Sequence, residues 1–498
     1  MSNAGTILGS DDYPSSTYRC EVLVVGSGAG GSVAAAVLAE AGRDVILLEE
    51  GGFHPPDAAD STDISYAMSI LYRNRAIFPF MGVPTIPFAE GRCVGGGTVV
   101  NGALVKRTPD WILDEWSNGL GLADLSSSSL DEHFETVERD LGVARSVVES
   151  DSNLDSLYLL RGAQQLGWLT EMAPRAVSHC KNINLCSVGC LECGKQSTLE
   201  NYIPRAMASG SRIFTNCRAV KIVHSNGVAK SIHANVIGST SRTAIEISFD
   251  DLVLAGGAIQ TPHLLRRSKL SGGAGRNLQF HMNLKIVAVF GDRIRADQGT
   301  MFTVQVREFA RDGLLIMASN LLPHYVVTTA AHHGTDAVNH ILNNYESSAI
   351  YTAMIKAKST AHVVSRVGDT PLVWYRFDPL DLIQVKVGLH RAAQVLFEAG
   401  ATELYMPMSG LGAVGSLEEL DRGLETLKPT KLEIVTVHAM ASCPMGPNPE
   451  SSVVRPDGRL WDAKNVILAD ASILPTNIGE SPQGTIMALA HAVVRQHA

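Results

Sequence analysis

Short apolar runs that stop abruptly at glycine punctuate this chain and alternate with stretches of helical periodicity. Residues 21–25 are nearly all apolar and end at Gly26, the pattern of a strand buried on both faces. Residues 32–41 follow as an alanine-rich helix and 44–48 as a second apolar strand, so the three make a strand–helix–strand unit. The signature returns at 251–255, which enters Gly256-Gly257 ahead of a helix from about Thr261. It returns again at 465–468, which reaches Asp470 ahead of a closing helix over about 484–495. Pieces so far apart predict a discontinuous nucleotide-binding domain. Between Leu284 and Pro407 the texture changes. Runs at 285–290, 301–306, 314–319, 349–354 and 362–366 are β-rich with polar turns between them, and 380–399 is an amphipathic helix. This predicts a second body built on an antiparallel sheet with helical cover. Residues 60–80 and 110–170 read as mostly helical.

The expected fold is therefore α/β, a discontinuous Rossmann-like dinucleotide-binding domain plus a substrate domain with an antiparallel sheet and helices. The first takes 18–60, 85–110, 195–283 and 438–498. The second takes 284–437 with contributions from 61–84 and 111–179, and residues 180–194 form a separate cysteine-rich loop.

Composition narrows the class. With 498 residues, 45% hydrophobic and 18% charged, the chain can bury large cores. A net charge of -9 argues against nucleic acid or an anionic membrane as partner. Residues 22–39 are uncharged over a length that could mimic a membrane span, but their glycine interruption fits strand, turn and helix. No membrane span and no signal peptide are expected, which places the chain in the cytoplasm, with export only in the company of a partner subunit.

Gly26-Ser27-Gly28-Ala29-Gly30-Gly31 is a G-x-G-x-x-G turn between strand and helix. Gly26 permits the tight turn, Gly28 lets the backbone approach a pyrophosphate, and Gly31 allows close helix packing. The helix N-terminus favours the phosphates, and Glu49, ending the next strand, stands where a carboxylate takes ribose hydroxyls. This unit suits FAD and NAD alike.

Four of the eight cysteines, Cys180, Cys186, Cys190 and Cys193, fall in one stretch spaced C-x5-C-x3-C-x2-C. Without a secretion signal, a metal is favoured over disulfides. An iron–sulfur cluster, a zinc site and plain structural cysteines are all compatible with the spacing, which differs from the bacterial ferredoxin run. Cys20, Cys93, Cys217 and Cys443 are isolated and expected to be small buried residues.

Further segments resemble the glucose–methanol–choline (GMC) oxidoreductases, FAD-dependent enzymes that oxidise alcohols. Gly91-Arg92-Cys93-Val94-Gly95-Gly96-Gly97-Thr98-Val99-Val100-Asn101-Gly102 resembles the family's first signature and Gly257-Ala258-Ile259-Gln260-Thr261-Pro262 opens its second. Gly275-Arg276-Asn277-Leu278-Gln279-Phe280-His281 resembles its G-R-N-L-x-D-H, with Phe280 where Asp is usual. Val437-His438-Ala439-Met440, Asp470-Ala471-Ser472 and 481–490 resemble its C-terminal catalytic block. The match runs in order along nearly the whole chain. The resemblance implies noncovalent FAD, because Val100 occupies the position of the histidine that covalent members carry. It places Gly95, Gly96, Asn101, Val220, Gly257, Asp470, Ala471, Gly484 and Thr485 with the cofactor, beside Gly26, Gly28, Gly31 and Glu49.

Oxidising an alcohol means removing a hydroxyl proton while a hydride passes to flavin N5, and the proton needs a base near neutrality. The resemblance gives that role to His438. Ser481 replaces the usual asparagine of N-P-x-x-T, and Gln483 could supply the missing substrate contact. The helix after Gly484 is expected to aim its N-terminus at the N1–C2 edge of the flavin. Electron-transferring glucose dehydrogenases of the family carry a three-iron cluster with ligands spaced C-x5-C-x3-C. Cys180, Cys186 and Cys190 reproduce that spacing, and Cys193 is either the fourth ligand of a four-iron cluster or a bystander. The function expected is an FAD-dependent alcohol dehydrogenase passing electrons through a cluster, three-iron before four-iron, to an acceptor protein or small partner subunit. Its alternatives are an oxygen-using alcohol or sterol oxidase with a zinc or structural cysteine loop, and a flavin-binding redox sensor without turnover.

Overall fold

The uncharged run that opens the chain folds as strand Val22–Val25 and helix Ala29–Glu40. The helix buries residues on every side, because alanine and glycine let neighbouring elements approach closely. A Cβ on Gly30 would lie 1.8 Å from the Ala469 carbonyl oxygen, and one on Gly31 1.8 Å from that of Gly26. The fold is a computed structural model that describes residues 5–10, 12–55, 63–144, 153–190, 192, 194–238, 244–319, 321–364 and 370–498. Six parallel strands form the first sheet in the order Thr6–Leu8, Arg212–Phe214, Val45–Leu48, Val22–Val25, Asp251–Leu254, Val466–Leu468. Helix Ala29–Glu40 packs against the closing helix Gln483–Arg495. The central strands meet the expected positions to within a residue. A second, four-stranded sheet, Cys217–Ser225, Val228–Val236, Ala244–Ser248 and Thr17–Arg19, flanks this layer.

The second helix begins at Gly257, four residues before the expected start. Its cap comes from far along the chain. The Asp470 carboxylate accepts the Gly257 N–H at 2.8 Å and the Thr261 hydroxyl at 2.5 Å.

A larger, mostly antiparallel sheet of ten strands carries its own apolar core. Its spine is Leu278–Phe290 against Ser348–Val364, so one strand runs unbroken across the boundary expected between residues 283 and 284, and Phe78–Met81, Ile86–Phe88 and Thr170–Met172 join the same sheet from earlier in the chain. The runs expected at 349–354 and 362–366 are one strand. It is buried on both faces to Ile355 and then alternates, with Lys358, Thr360 and His362 exposed and Ala357, Ser359 and Ala361 inside; Arg366 lies outside the described residues. Helix Pro379–Glu398 covers one face. The helical expectation for 60–80 holds at Ile64–Leu71, but Phe78–Met81 is a strand, since Phe78 and Phe80 are buried and Pro79 between them is exposed. Over 110–170, helices Ser127–Asp140 and Leu154–Gln165 dominate, and 145–152 lie outside the described residues. No helix among the described residues is long and apolar enough to cross a membrane.

Residues facing each other across strands share a face of the sheet. Register therefore puts His281, Asn283 and Lys285 on one face with Met354 and Thr352, and with Leu315 and Met317 beyond them. Leu315, Met317 and Met354 form a small apolar cluster of their own, separate from both main cores, with Phe302 packed on it.

Candidate active site

A cavity of about 270 Å³ opens where the parallel sheet meets the larger one. Gly26, Gly28, Glu49, Gly96, Val220, Gly257, His438, Ala471 and Pro482 all line it. Eight expected residues thus line one continuous space.

The glycine loops are locked together by Ser27, a residue the sequence left without a role. Its hydroxyl donates to Glu49 Oε2 at 2.6 Å and accepts the Gly95 N–H at 3.1 Å. Glu49 Oε1 accepts the Gly51 N–H at 2.8 Å, so this buried carboxylate also braces the loop. Burial raises its pKa, and the bonds from Ser27 and Gly51 oppose that rise. Gly28 is different from its neighbours: a Cβ there would meet nothing within 4 Å, because the position faces the cavity. Gly96, at φ +53, would put a Cβ 2.8 Å from the Gly28 Cα. A cradle lined by bare backbone beside a helix N-terminus fits a pyrophosphate. The donor set therefore suits a dinucleotide cofactor.

Several expected cofactor residues support the cavity from behind. Gly31 seats the first helix on Gly26, and Asp470 holds the Gly257 turn. Gly484 abuts the Lys106 carbonyl, which a Cβ would approach to 2.3 Å, and Thr485 Oγ1 lies 2.8 Å from Thr108 Oγ1. These contacts clamp the start of the Gln483–Arg495 helix, from which Pro482 and Ile486 reach the cavity. Ser481 is buried just before that helix. Gln483 accepts a hydrogen bond from Asn101 Nδ2 through Oε1, and its Nε2 faces Met487 Sδ at 3.7 Å. Its amide is spent on the Asn101 loop.

His438 lines the cavity beside the fully buried His281, their Nδ1 atoms 2.9 Å apart. Burial and the Lys285 ammonium push the His438 pKa down to about 4, so the ring is neutral at physiological pH. Burial likewise holds His281 well below the usual imidazole range. Lys285 donates to Ser319 Oγ and Thr352 Oγ1, both at 2.8 Å, and burial pushes its pKa down to about 8.

Around Glu50 the sequence hid an ion cluster. Arg73 bonds Glu50 at 2.9 Å and Glu90 at 2.5 Å, and Arg218 and Arg92 approach Glu50 at 2.6 and 3.3 Å. Burial opposes ionisation of Glu50, yet Arg73 and Arg218 hold its pKa at about 2. No local pattern could have revealed partners drawn from four separate segments.

The cysteine loop does not assemble as expected. Cys180 Sγ lies 3.8 Å from Thr300 Oγ1, Cys186 Sγ accepts from Arg175 Nη2 at 3.7 Å, and Cys190 Sγ accepts the Lys195 N–H at 3.2 Å. Among the described residues, no three histidine, cysteine or acidic side chains are placed to hold a metal ion. Cys193 lies outside the described residues. The iron–sulfur expectation thus finds no support in the placement of the described thiols. The loop instead underpins the Asn101 turn: Lys195 Nζ donates to the carbonyls of Val99, Asn101 (3.1 Å) and Cys186 (2.6 Å), and Arg175 to that of Gly102 at 3.0 Å. Cys20, Cys93, Cys217 and Cys443 are buried, as expected.

Comparison with known proteins agrees with this geometry. Residues 20–283 and 366–490 match the two halves of the GMC oxidoreductase family. A GMC-type oxidoreductase of Mycobacterium tuberculosis strain H37Rv is 34% identical over 99% of this chain and 77% of its own. The long-chain-alcohol oxidase FAO4A of Arabidopsis thaliana is 28% identical over 96% of this chain and 68% of its own. Among solved structures, pyridoxine 4-oxidase from Mesorbium loti shares the fold with a TM-score of 0.73 at 17% identity, covering 96% of this chain and 99% of that one. Family match, fold and cavity agree: the chain belongs to the GMC oxidoreductase family and is an oxidoreductase, not a sensor without turnover.

Proposed function

We propose that this protein oxidises the hydroxyl group of an apolar alcohol to a carbonyl, with noncovalent FAD in the cavity and His438 as the base. The observation that carries this reading is the single cavity joining the Gly26–Gly28 cradle to a neutral, half-buried histidine. FAD held there by Glu49, Ser27, Val220, Gly257 and Ala471 would supply a hydride acceptor at its N5. His438, free of charge, accepts the hydroxyl proton. Ser481, at the family's second substrate position, sits beside the cavity-lining Pro482 and orients the hydroxyl. Gln483 keeps Asn101 in place. Leu315, Met317 and Met354 share a sheet face with His281 and make that side of the histidine pair apolar, without themselves lining the cavity. The Arabidopsis long-chain-alcohol oxidases and the Acinetobacter baumannii cholesterol oxidase among the relatives bear names that fit such substrates.

Flavin reduction under anaerobic conditions tests the reading. Straight-chain primary alcohols should bleach the flavin with efficiency that rises with chain length. No bleaching by any alcohol, with flavin bound, overturns it.

The route of the electrons afterwards divides two readings. Direct reoxidation by oxygen needs no further group. Export to an acceptor protein through a thiolate-held cluster at Cys180, Cys186, Cys190 and Cys193 has one observation in its favour. Two cations are buried beside these thiols, Lys195 bonded only to carbonyls and Arg175 with Nε and Nη1 unpartnered. An anionic centre would neutralise them. One equivalent of peroxide per alcohol with no iron supports the first. Stoichiometric iron with an electron paramagnetic resonance signal supports the second.

A further inference from the structure

The two ring nitrogens of a neutral imidazole have opposite roles, one donating and one accepting. Which is which at His438 can be worked out from its neighbours. The chain of bonds starts at Asn477, whose Nδ2 donates to the Phe280 carbonyl at 2.8 Å. That fixes the amide, so Oδ1 points the other way, accepting the Gly479 N–H at 3.1 Å and facing His281 Nε2 at 2.5 Å. An amide oxygen has no proton to give, so His281 carries its proton on Nε2. The ring is neutral, which leaves His281 Nδ1 with a lone pair, 2.9 Å from His438 Nδ1. His438 must then hold its proton on Nδ1 and donate it to His281. Its Nε2 is bare.

We infer that Asn477 and His281 are positioning residues that lock His438 in the tautomer whose Nε2 is free to take the substrate's hydroxyl proton. This rests on the proposal that His438 is the base. The lock also works in reverse order. Once Nε2 has accepted a proton, the Nδ1–H still points at the His281 lone pair, so the imidazolium keeps its partner and no bond has to rearrange. Lys285, acting on His438, and Lys356, paired across the strands with His281, are the charged groups facing the pair, and both disfavour a standing charge there. Asn477 and His281 lie 196 residues apart in sequence. His281 sits in a signature segment whose chemistry the sequence left open, and Asn477 in none.

Protein labelled with nitrogen-15 histidine gives the direct test through long-range proton–nitrogen spectra of the flavin-loaded enzyme. The signal that disappears in His438→Gln should show a protonated Nδ1 and an unprotonated Nε2. In His281→Met it should move to the Nε2-protonated form. Activity follows in parallel. His281→Met should slow anaerobic flavin reduction roughly 10- to 100-fold, by analogy with partners that orient metal-bound histidines, with KM little changed. His281→Gln, whose amide oxygen can still accept from Nδ1, should restore most of the rate. A His438 ring protonated on Nε2 in the parent, or a tautomer unmoved in His281→Met, overturns the inference. The base proposal fails separately, if the tautomer is as stated but His438→Gln reduces flavin at the parent rate.

Discussion

Burial first and the Lys285 ammonium second disfavour protonation of His438, although Lys285 lies four residues from His281 along the same strand and needs no contact with substrate. Its ammonium, bonded to two hydroxyls, is one of the two causes that bring the histidine pKa to about 4. The sign is simple. A nearby positive charge disfavours imidazolium, so removing it raises the pKa, and a base that must be neutral loses activity at a higher pH. In Lys285→Met the acid limb of the rate of flavin reduction should move upward from near pH 4 toward the ordinary histidine value. A limb that stays in place would show that the charge does not reach the base. That His438 belongs beside the glycine loops was legible in the sequence because a motif surrounds it, and it lines the cavity with them. Lys285, Ser27 and Asn477 were not, since each acquires its role from residues far along the chain.

At the scale of elements, the glycine loop separates folding from cofactor binding. Gly31 and Gly28 belong to one motif, yet an added Cβ meets a carbonyl at 1.8 Å in the first case and open cavity in the second. Gly31→Ala should therefore push the first helix off its sheet and cost on the order of 1–3 kcal/mol for overpacking a tight contact, read as a lower Tm of the apoprotein. Gly28→Ala should leave the apoprotein's Tm unchanged and lower its flavin affinity. Equal effects of both on the apoprotein would refute the distinction. The strands of this layer were readable because burial on both faces leaves uninterrupted apolar runs. The helix at Gly257 started earlier than expected because its cap, Asp470, comes from 213 residues away. The Ser348–Val364 strand looked like two because its burial pattern changes midway from two faces to one.

Across the whole molecule, the cavity's outer wall is tied by Arg73, Arg92 and Arg218 to Glu50 and Glu90, joining segments that the sequence keeps apart. Arg73→Met leaves the half-buried Glu90 without its arginine, while Glu50 keeps Arg218 and Arg92, and should destabilise the protein by about 1–3 kcal/mol. Glu50 has a folded pKa of about 2 against an ordinary 4.5, so its stabilisation is full above that ordinary value and is lost as the pH falls toward 2. The gap in denaturant stability between Arg73→Met and the parent should narrow over that interval. A gap independent of pH would mean the cluster is held by packing alone.

The proposed oxidation depends on His438 taking the proton. The anaerobic rate of flavin reduction by alcohol in His438→Gln, against the parent at matched flavin occupancy, tests this most directly. A loss of roughly 10²- to 10⁴-fold, the usual worth of a general base, is the predicted result. A variant that binds flavin and reduces it at the parent rate would contradict the mechanism.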